Sequence, residues 1–417
     1  MPRAENLVEV YNNFVVEPLR TDEEFRDFYV ERPKGSFTVE EIKDRIENSK
    51  RKEKYLFLGF RGSGKSTELN RLMRMIDKSR FTVICYSVKD ELDVNDFDFR
   101  DFFVSMALKI YDMTEKENIR IKSDIKWDIE GFIMRITRIE EEEVERQKSY
   151  GISLSKFLRL KIGSEAKTRE YIRKELETRI SDLIQRLNWL IAEVEDKSSK
   201  KVVVVIDDLD KLTRGEQAEK FFYQNYSLLL LPDCFVVYTF PIPLAFNPYY
   251  ENVRQAFDGS FILPQPPIVD REEKLIEENF EFYRKIAEKR MNLNLIDDIA
   301  LKEAILSTGK LSEFILIIRE AAIKAYRNGR ERITLDEIEA ALEKLRRTYD
   351  RTLTERHKRR LIEIYEKKDA RDRDEKDSIS RDLLFSLTAV EYEDEDGRWC
   401  DINPILKPLL EKWKKEA

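Results

Sequence analysis

Nine consecutive residues, Gly59-Phe60-Arg61-Gly62-Ser63-Gly64-Lys65-Ser66-Thr67, carry the most specific chemistry in the chain. They fit the spacing G-x-x-x-x-G-K-[ST], in which glycines let a loop curl until successive backbone N–H groups face an anion. Lys65 then reaches the β and γ phosphates of a nucleotide, and the Ser66 hydroxyl is the kind of oxygen ligand that Mg2+ demands. Gly59, Arg61, Gly62, Ser63, Gly64, Lys65, Ser66 and Thr67 are therefore the candidate nucleotide-binding residues. A second group lies in VVVVIDDLDK, where Asp207 and Asp208 end an apolar run. Asp207 would hold the Mg2+ together with Ser66, and Asp208 would orient or deprotonate an attacking water. Asp210 and Lys211 read as an exposed turn with a capping or surface-pairing role. The two groups together predict binding of ATP with Mg2+ and a slow hydrolysis of it.

Positioning these residues takes a βαβ unit. Tyr55 to Leu58 and Phe81 to Val88 read as buried strands, with a helix from Ser66 to Ile76 between them. The helix presents its positive N-terminal end to the same anion as the loop. Lys201 to Ile206 is a continuous β-branched run, as expected of a strand buried on both faces. Cys234 to Thr239 predicts a fourth strand and Phe261 to Leu263 a fifth, so the fold class is α/β with a parallel sheet. Upstream, Pro33, Lys34, Gly35 and Ser36 mark a loop before a helix starting near Thr38, with Glu41 as its capping-box partner. The charged stretch from Thr114 to Lys200 reads as a mostly helical insertion. Within it, Gly151 to Gly163 alternates like a hairpin or ordered loop, and Ala166 to Val194 repeats apolar residues like one amphipathic helix. From Asp270 the pattern turns helical, over Glu272 to Arg290, Asp297 to Ser307, Ser312 to Arg327 and Leu335 to Arg347. The chain finishes with helices, a polar gap (Lys367 to Asp377), and a hairpin turning at Asp396 and Gly397, which suggests a winged helix.

Composition removes several alternatives. The net charge is −7, yet 38% of the 417 residues are charged, so no global basic field recruits nucleic acid. Cys85, Cys234 and Cys400 lie far apart without a CxxC pair, which excludes a disulfide framework and suits a reducing, cytoplasmic setting. The lone histidine, His357, sits among Arg356, Lys358, Arg359 and Arg360 and reads as a solvated helix residue. MPRAENLVEV has no basic region followed by an apolar stretch, so export is not expected. Tyr226 to Phe246, the most apolar region, is broken by Pro232, Asp233, Pro241 and Pro243, short of the about 20 apolar residues a spanning helix needs. No NKxD-type or LSGGQ-like motif occurs, which disfavours a GTPase or a transporter ATPase.

The order of glycine loop, paired aspartates, polar strand end, helical domain and terminal hairpin resembles the AAA+ superfamily, broadly the replication-initiator and STAND-like ATPases. That resemblance implies a domain plan of an N-terminal lead-in (1–50), a P-loop core (51–268) with its insertion at about 114–200, an α-helical lid (269–348) and a winged-helix-like domain (349–417). It assigns Thr239 to sensing the γ-phosphate and Arg254 to acting across subunits, which implies a homo-oligomer. Two departures stand out. Ser312 occupies the place of the lid arginine, leaving Lys310 or Arg319 to substitute, and Asp208 stands where many members carry Glu; aspartate, one methylene shorter, would hold the water less well and slow turnover.

The resulting expectation is an ATP-driven switch acting on a protein partner or effector, with no membrane role. A DNA-binding initiator or loader and a nucleotide-locked scaffold are the alternatives. Residues 351–417 hold 16 basic and 17 acidic side chains, and the hairpin reads EYEDEDGR. An acidic wing repels the phosphate backbone, so DNA is disfavoured, although the Arg356 to Arg360 cluster keeps it in view.

Overall fold

Short apolar runs become five strands: β1 (Lys54–Gly59), β2 (Phe81–Ser87), β3 (Lys201–Asp207), β4 (Phe235–Pro241) and β5 (Gly259–Ile262). They belong to a computed structural model that describes residues 2–33, 39–150, 152–212, 215–371 and 378–416. Of the predicted loop, all but Pro33 lies outside those residues, as does the Thr38 cap; the helix after them runs Val39–Asn48. The chain sorts into two units, one of Met1–Thr38, Gly59–Asn70 and Ile262–Ala417, the other of Val39–Leu58 and Arg71–Phe261.

In the second unit the strands follow the order β2-β3-β4-β1-β5. β2 and β3 pair in parallel from Phe81↔Lys201 to Ser87↔Asp207, and β3 and β4 from Val203↔Phe235 to Ile206↔Tyr238. The valines of β3 are buried throughout, because helices cover both faces of a parallel sheet. This register sets Ser87 opposite Asp207, with Thr239 one residue beyond the partner of Ile206. All three residues therefore share the carboxyl edge of the sheet, where ligands of such folds bind.

The insertion is helical, as expected, but its segmentation differs. Residues 154–164 form a helix (Leu154–Ser164) rather than a hairpin, and Gly151 lies outside the described residues. Ser153 caps that helix by accepting from the Lys156 N–H, and Leu154, Phe157, Leu158 and Ile162 bury one face at helical spacing. Alternation of apolar residues is compatible with either period over so short a run. The predicted helix from Ala166 to Val194 is two, Ala166–Glu175 and Ile180–Ser198. Apolar spacing of three and four continues across the turn between them, so periodicity alone cannot detect the break. An aromatic chain from Phe102 through Phe221 and Phe222 to Phe240, with ring centroids 4.6–5.2 Å apart, packs a long helix (Phe99–Lys116) toward the sheet.

In the first unit, helices Glu277–Arg290, Asp298–Leu306, Leu311–Arg327 and Leu335–Asp350 share one apolar core with the N-terminal helix Leu7–Asn13. Phe314 is fully buried there, edge-on to Tyr283 at 5.4 Å. Thr334 and Glu337 form a reciprocal capping box that starts Leu335–Asp350. Beyond it come helices Glu355–Lys367 and Ile379–Phe385, then strands β6 (Ala389–Asp394) and β7 (Gly397–Ile402), paired antiparallel around Asp394↔Gly397. Part of the predicted polar gap, 372–377, lies outside the described residues. Arg271 grips the hairpin, donating to Asp394 at 2.9 and 3.0 Å and to the Gly397 carbonyl at 3.2 Å. Glu273, Lys368, Asp401 and Lys407 form a second ion cluster beside it, at 2.7–3.2 Å. Among the described residues no helix is long and apolar enough to cross a membrane.

Candidate functional site

The glycine loop belongs to the first unit. It leaves β1 at Gly59 and enters the helix Lys65–Met75 directly, so the first helical N–H groups follow the loop without a break. Gly62 and Gly64 have φ of +83° and +96°, in the left-handed region that only glycine enters at little steric cost. The Ser63 N–H closes a turn onto the Phe60 carbonyl at 3.2 Å. Lys65 is buried, and its ammonium donates to the Gly59 and Phe60 carbonyls at 2.6 and 2.7 Å. A Cβ on Gly59 would lie 2.7 Å from the Lys65 side chain, so glycine is required there for the lysine to cross the loop. Thr67 accepts from the Leu19 N–H at 3.2 Å, which makes it a structural anchor as well as a candidate ligand. Arg61 is exposed and Ser66 half-buried.

The loop's outer side is also held. The Ser312 N–H, at the start of Leu311–Arg327, donates to the Gly62 carbonyl at 3.0 Å. Ser312, found at the place of the lid arginine, thus touches the loop through its backbone. A Cβ on Gly62 would sit 2.0 Å from the Ser312 hydroxyl. Gly62→Ala is therefore expected to destabilise this unit by about 1–2 kcal/mol from the left-handed backbone alone, with more from displacing Ser312. Urea unfolding followed by a probe in Leu311–Arg327 measures it, and an unchanged midpoint would show that the contact contributes nothing. Of the two proposed substitutes for the lid arginine, Lys310 is bound to Tyr349 at 3.3 Å and Glu313 at 3.4 Å, while Arg319 stacks over Tyr11 at 4.2 Å. Tyr349, Glu313 and Tyr11 all lie outside the loop, although the Lys310 stem would be 3.5 Å from a Cβ on Gly62.

The paired aspartates belong to the second unit. Asp208, only 6% exposed, adopts φ +69°, uncommon for a residue with a side chain and frequent at functional sites. That turn aims its carboxylate at Ser87, whose hydroxyl donates to it at 2.7 Å, and at Lys211, with which it forms an ion pair. Burial alone would lower the Lys211 ammonium; contact with Asp208 and the field of Asp210 and Asp207 overrides it and raises the group overall. The Asp208 N–H donates to the Asp207 carboxylate at 2.7 Å. Thr239 is fully buried, and its hydroxyl accepts from the Leu209 N–H at 3.0 Å, which fixes the turn after the aspartates.

Asp210 corrects the sequence reading. It is 9% exposed rather than on an open turn, because residues 209–211 wind into a tight helical turn that packs against β4. Asp207, Asp208 and Asp210 each place a carboxylate oxygen within 4.8 Å of the others. Such an all-oxygen set fits a hard divalent cation. Lys211 is likewise part of this cluster and not a detached surface pair. Arg254 lies on the short helix Tyr250–Ala256, half-exposed and paired with Glu251 at 2.6 Å. His357, expected as a solvated residue, closes a capping box with Thr354. Sequence reasoning missed Ser87, whose partner is visible only once β2 and β3 are in register.

Residues 40–228 match the KAP family P-loop domain. Among curated proteins none matches the sequence. Solved structures with a related layout include the Aeropyrum pernix ORC1 protein in complex with DNA, 11% identical at a TM-score of 0.42, covering 98% of this chain and 96% of that one. CDC6P from Pyrobaculum aerophilum is 14% identical at 0.38, with 96% and 99% covered. The Thermotoga maritima RuvB Holliday junction branch migration motor is 12% identical at 0.33, with 87% and 88% covered. Overlap this loose carries nothing further over to this chain. The glycine loop, the buried strand ending in aspartates and the matched stretch together identify a P-loop NTPase domain, similar to that of the KAP family.

Proposed function

We propose that this chain binds ATP with Mg2+ at the glycine loop, hydrolyses it slowly, and works as an AAA+-type conformational switch toward a protein partner. The observation that carries the reading is the preformed loop, with two glycines in left-handed conformation and Lys65 drawn into its curve. In this reading Arg61, Ser63 and Thr67 line the nucleotide site with the glycines, and Ser66 and Asp207 hold the metal ion. The bound Mg2+ would supply charge neutralisation for phosphoryl transfer. Asp208 orients the attacking water, Thr239 reads the γ-phosphate, and Arg254 completes the site of a neighbouring copy in a homo-oligomer. The helices of 269–348 act as lid, and 349–417 as a winged-helix-like module that meets the partner.

Support for a slow rate comes from Asp208 itself. A carboxylate that already accepts from Ser87 and pairs with Lys211 must change partners before it can take a proton from water. Support for a protein partner over DNA comes from the basic run on Glu355–Lys367. Arg360 is committed to Ser380, Glu363 and the Arg371 carbonyl, and Lys358 to Glu355, so part of the cluster serves the fold. Steady-state hydrolysis by the wild type, with and without duplex DNA at moderate salt, tests the reading alongside direct nucleotide binding. Turnover indifferent to DNA supports it. Marked stimulation by DNA moves the function to an initiator or loader, tight binding with no turnover to a nucleotide-locked scaffold, and absence of binding removes it.

A further inference from the structure

We propose that Arg32 is a positioning residue for the phosphate loop: its guanidinium, clamped on the Ser63 and Pro264 carbonyls, turns the Gly64 N–H toward the nucleotide. The proposal rests on the reading of the loop as a nucleotide site. Arg32 follows the short helix Asp22–Phe28, and its side chain is 7% exposed. One terminal nitrogen donates to the Ser63 carbonyl, and the other donates to the Pro264 carbonyl at 2.9 Å. Its Nε lies buried without a hydrogen bond, 3.6 Å from the Glu68 carboxylate. Tyr29 donates to that carboxylate at 3.2 Å.

Peptide geometry makes this contact more than a clip. A trans peptide is planar, so the Ser63 carbonyl and the Gly64 N–H point in opposite directions. Holding the carbonyl outward fixes the N–H inward, and the Gly64 φ of +96° is the backbone state that accommodates this orientation. The Gly62 carbonyl is held from outside by Ser312 in the same way, so two successive carbonyls of the loop have external donors. A nest of N–H groups binds an anion well when its orientation is set beforehand, since ordering it on binding would consume affinity. Arginine suits the task where lysine does not. Its rigid fork can serve two carbonyls far apart in sequence. The arginine also lies so close that a Cβ on Gly64 would be 3.1 Å from it, which keeps that position free of any side chain.

Mg-ATP and Mg-ADP binding by wild type, Arg32→Gln and Arg32→Lys tests the idea, together with hydrogen exchange of the nucleotide-free loop. Arg32→Gln is expected to weaken both nucleotides by about 10- to 100-fold, the span of a charge-assisted hydrogen bond. Arg32→Lys, able to serve one carbonyl at a time, should fall between. KM should rise with kcat unchanged at saturation, because uniform binding is what is lost. Exchange in peptides spanning 59–65 should accelerate while the helix Leu335–Asp350 keeps its protection, a pattern that general destabilisation would not give. Should Arg32→Gln fail to fold, the lysine variant decides. Binding within twofold of a wild type that does bind, with unchanged loop exchange, overturns the role of Arg32 and leaves the nucleotide site standing. A wild type that binds neither nucleotide overturns both.

Discussion

Asp208→Asn is expected to leave Mg-ATP affinity within about threefold of wild type while cutting turnover by about 10²- to 10⁴-fold, the usual contribution of a general base. Asparagine has the same shape and tolerates positive φ better than most residues, so the backbone at +69° has no reason to move. What is removed is the charge. Lys211 loses its ion partner, and the Ser87 hydroxyl keeps a carbonyl oxygen to donate to. Single-turnover hydrolysis beside a direct binding measurement separates chemistry from affinity. Retained turnover would reassign the base, and Asp210, buried in the same carboxylate cluster, is the next residue to substitute.

Lys65→Ala has the opposite signature. Affinity for ATP and ADP is expected to fall by about 100-fold or more, because a charge-assisted contact to phosphate is lost from a water-poor loop. The substitution also removes the ammonium from the Gly59 and Phe60 carbonyls, leaving Phe60 with the Ser63 N–H, so the empty loop itself should become less ordered. Calorimetric titration with both nucleotides measures the first effect, and loop hydrogen exchange the second. If affinity survives, the anion is held by backbone N–H groups alone and the lysine belongs to the fold.

Much of this site could be read from sequence because its signals are local. Gly62 and Gly64 stand where positive φ is needed, Lys65 and Ser66 open a helix, and the valines before Asp207 need no partner to announce a buried strand. The rest depends on pairing between distant segments. Ser87 meets Asp208 only because β2 lies parallel to β3 in one register, and a shift of one residue would point it away. Arg32 carries no periodicity or motif, and its contacts with Ser63 and Pro264 span most of the chain. Ser312 is instructive for the same reason. In sequence it is expected to mark a missing cation, yet its backbone N–H holds a loop carbonyl, a contact that side-chain identity does not encode. In the insertion, Gly151 to Gly163 misled because a run of alternating residues fits two periods until a cap such as Ser153 decides between them.

The Arg271 clasp on the terminal hairpin changes how the acidity of EYEDEDGR is to be weighed. Charges in a sequence are counted as though each faced water alone, but a ligand experiences the local potential after neighbours have cancelled part of it. Here Arg271 offsets Asp394, Arg398 stands 3.9 Å from Glu393, and burial pushes the Glu391 carboxyl up to about 7. The outward field near the tip is then largely that of Glu395 and Asp396, and it decays within about 10 Å at ordinary salt. A hairpin peptide cut from the chain would lose Arg271 and look more acidic than the intact protein. Any basic partner of the whole molecule must compete with that arginine for Asp394, so its apparent affinity will be lower than the same contact measured on the fragment.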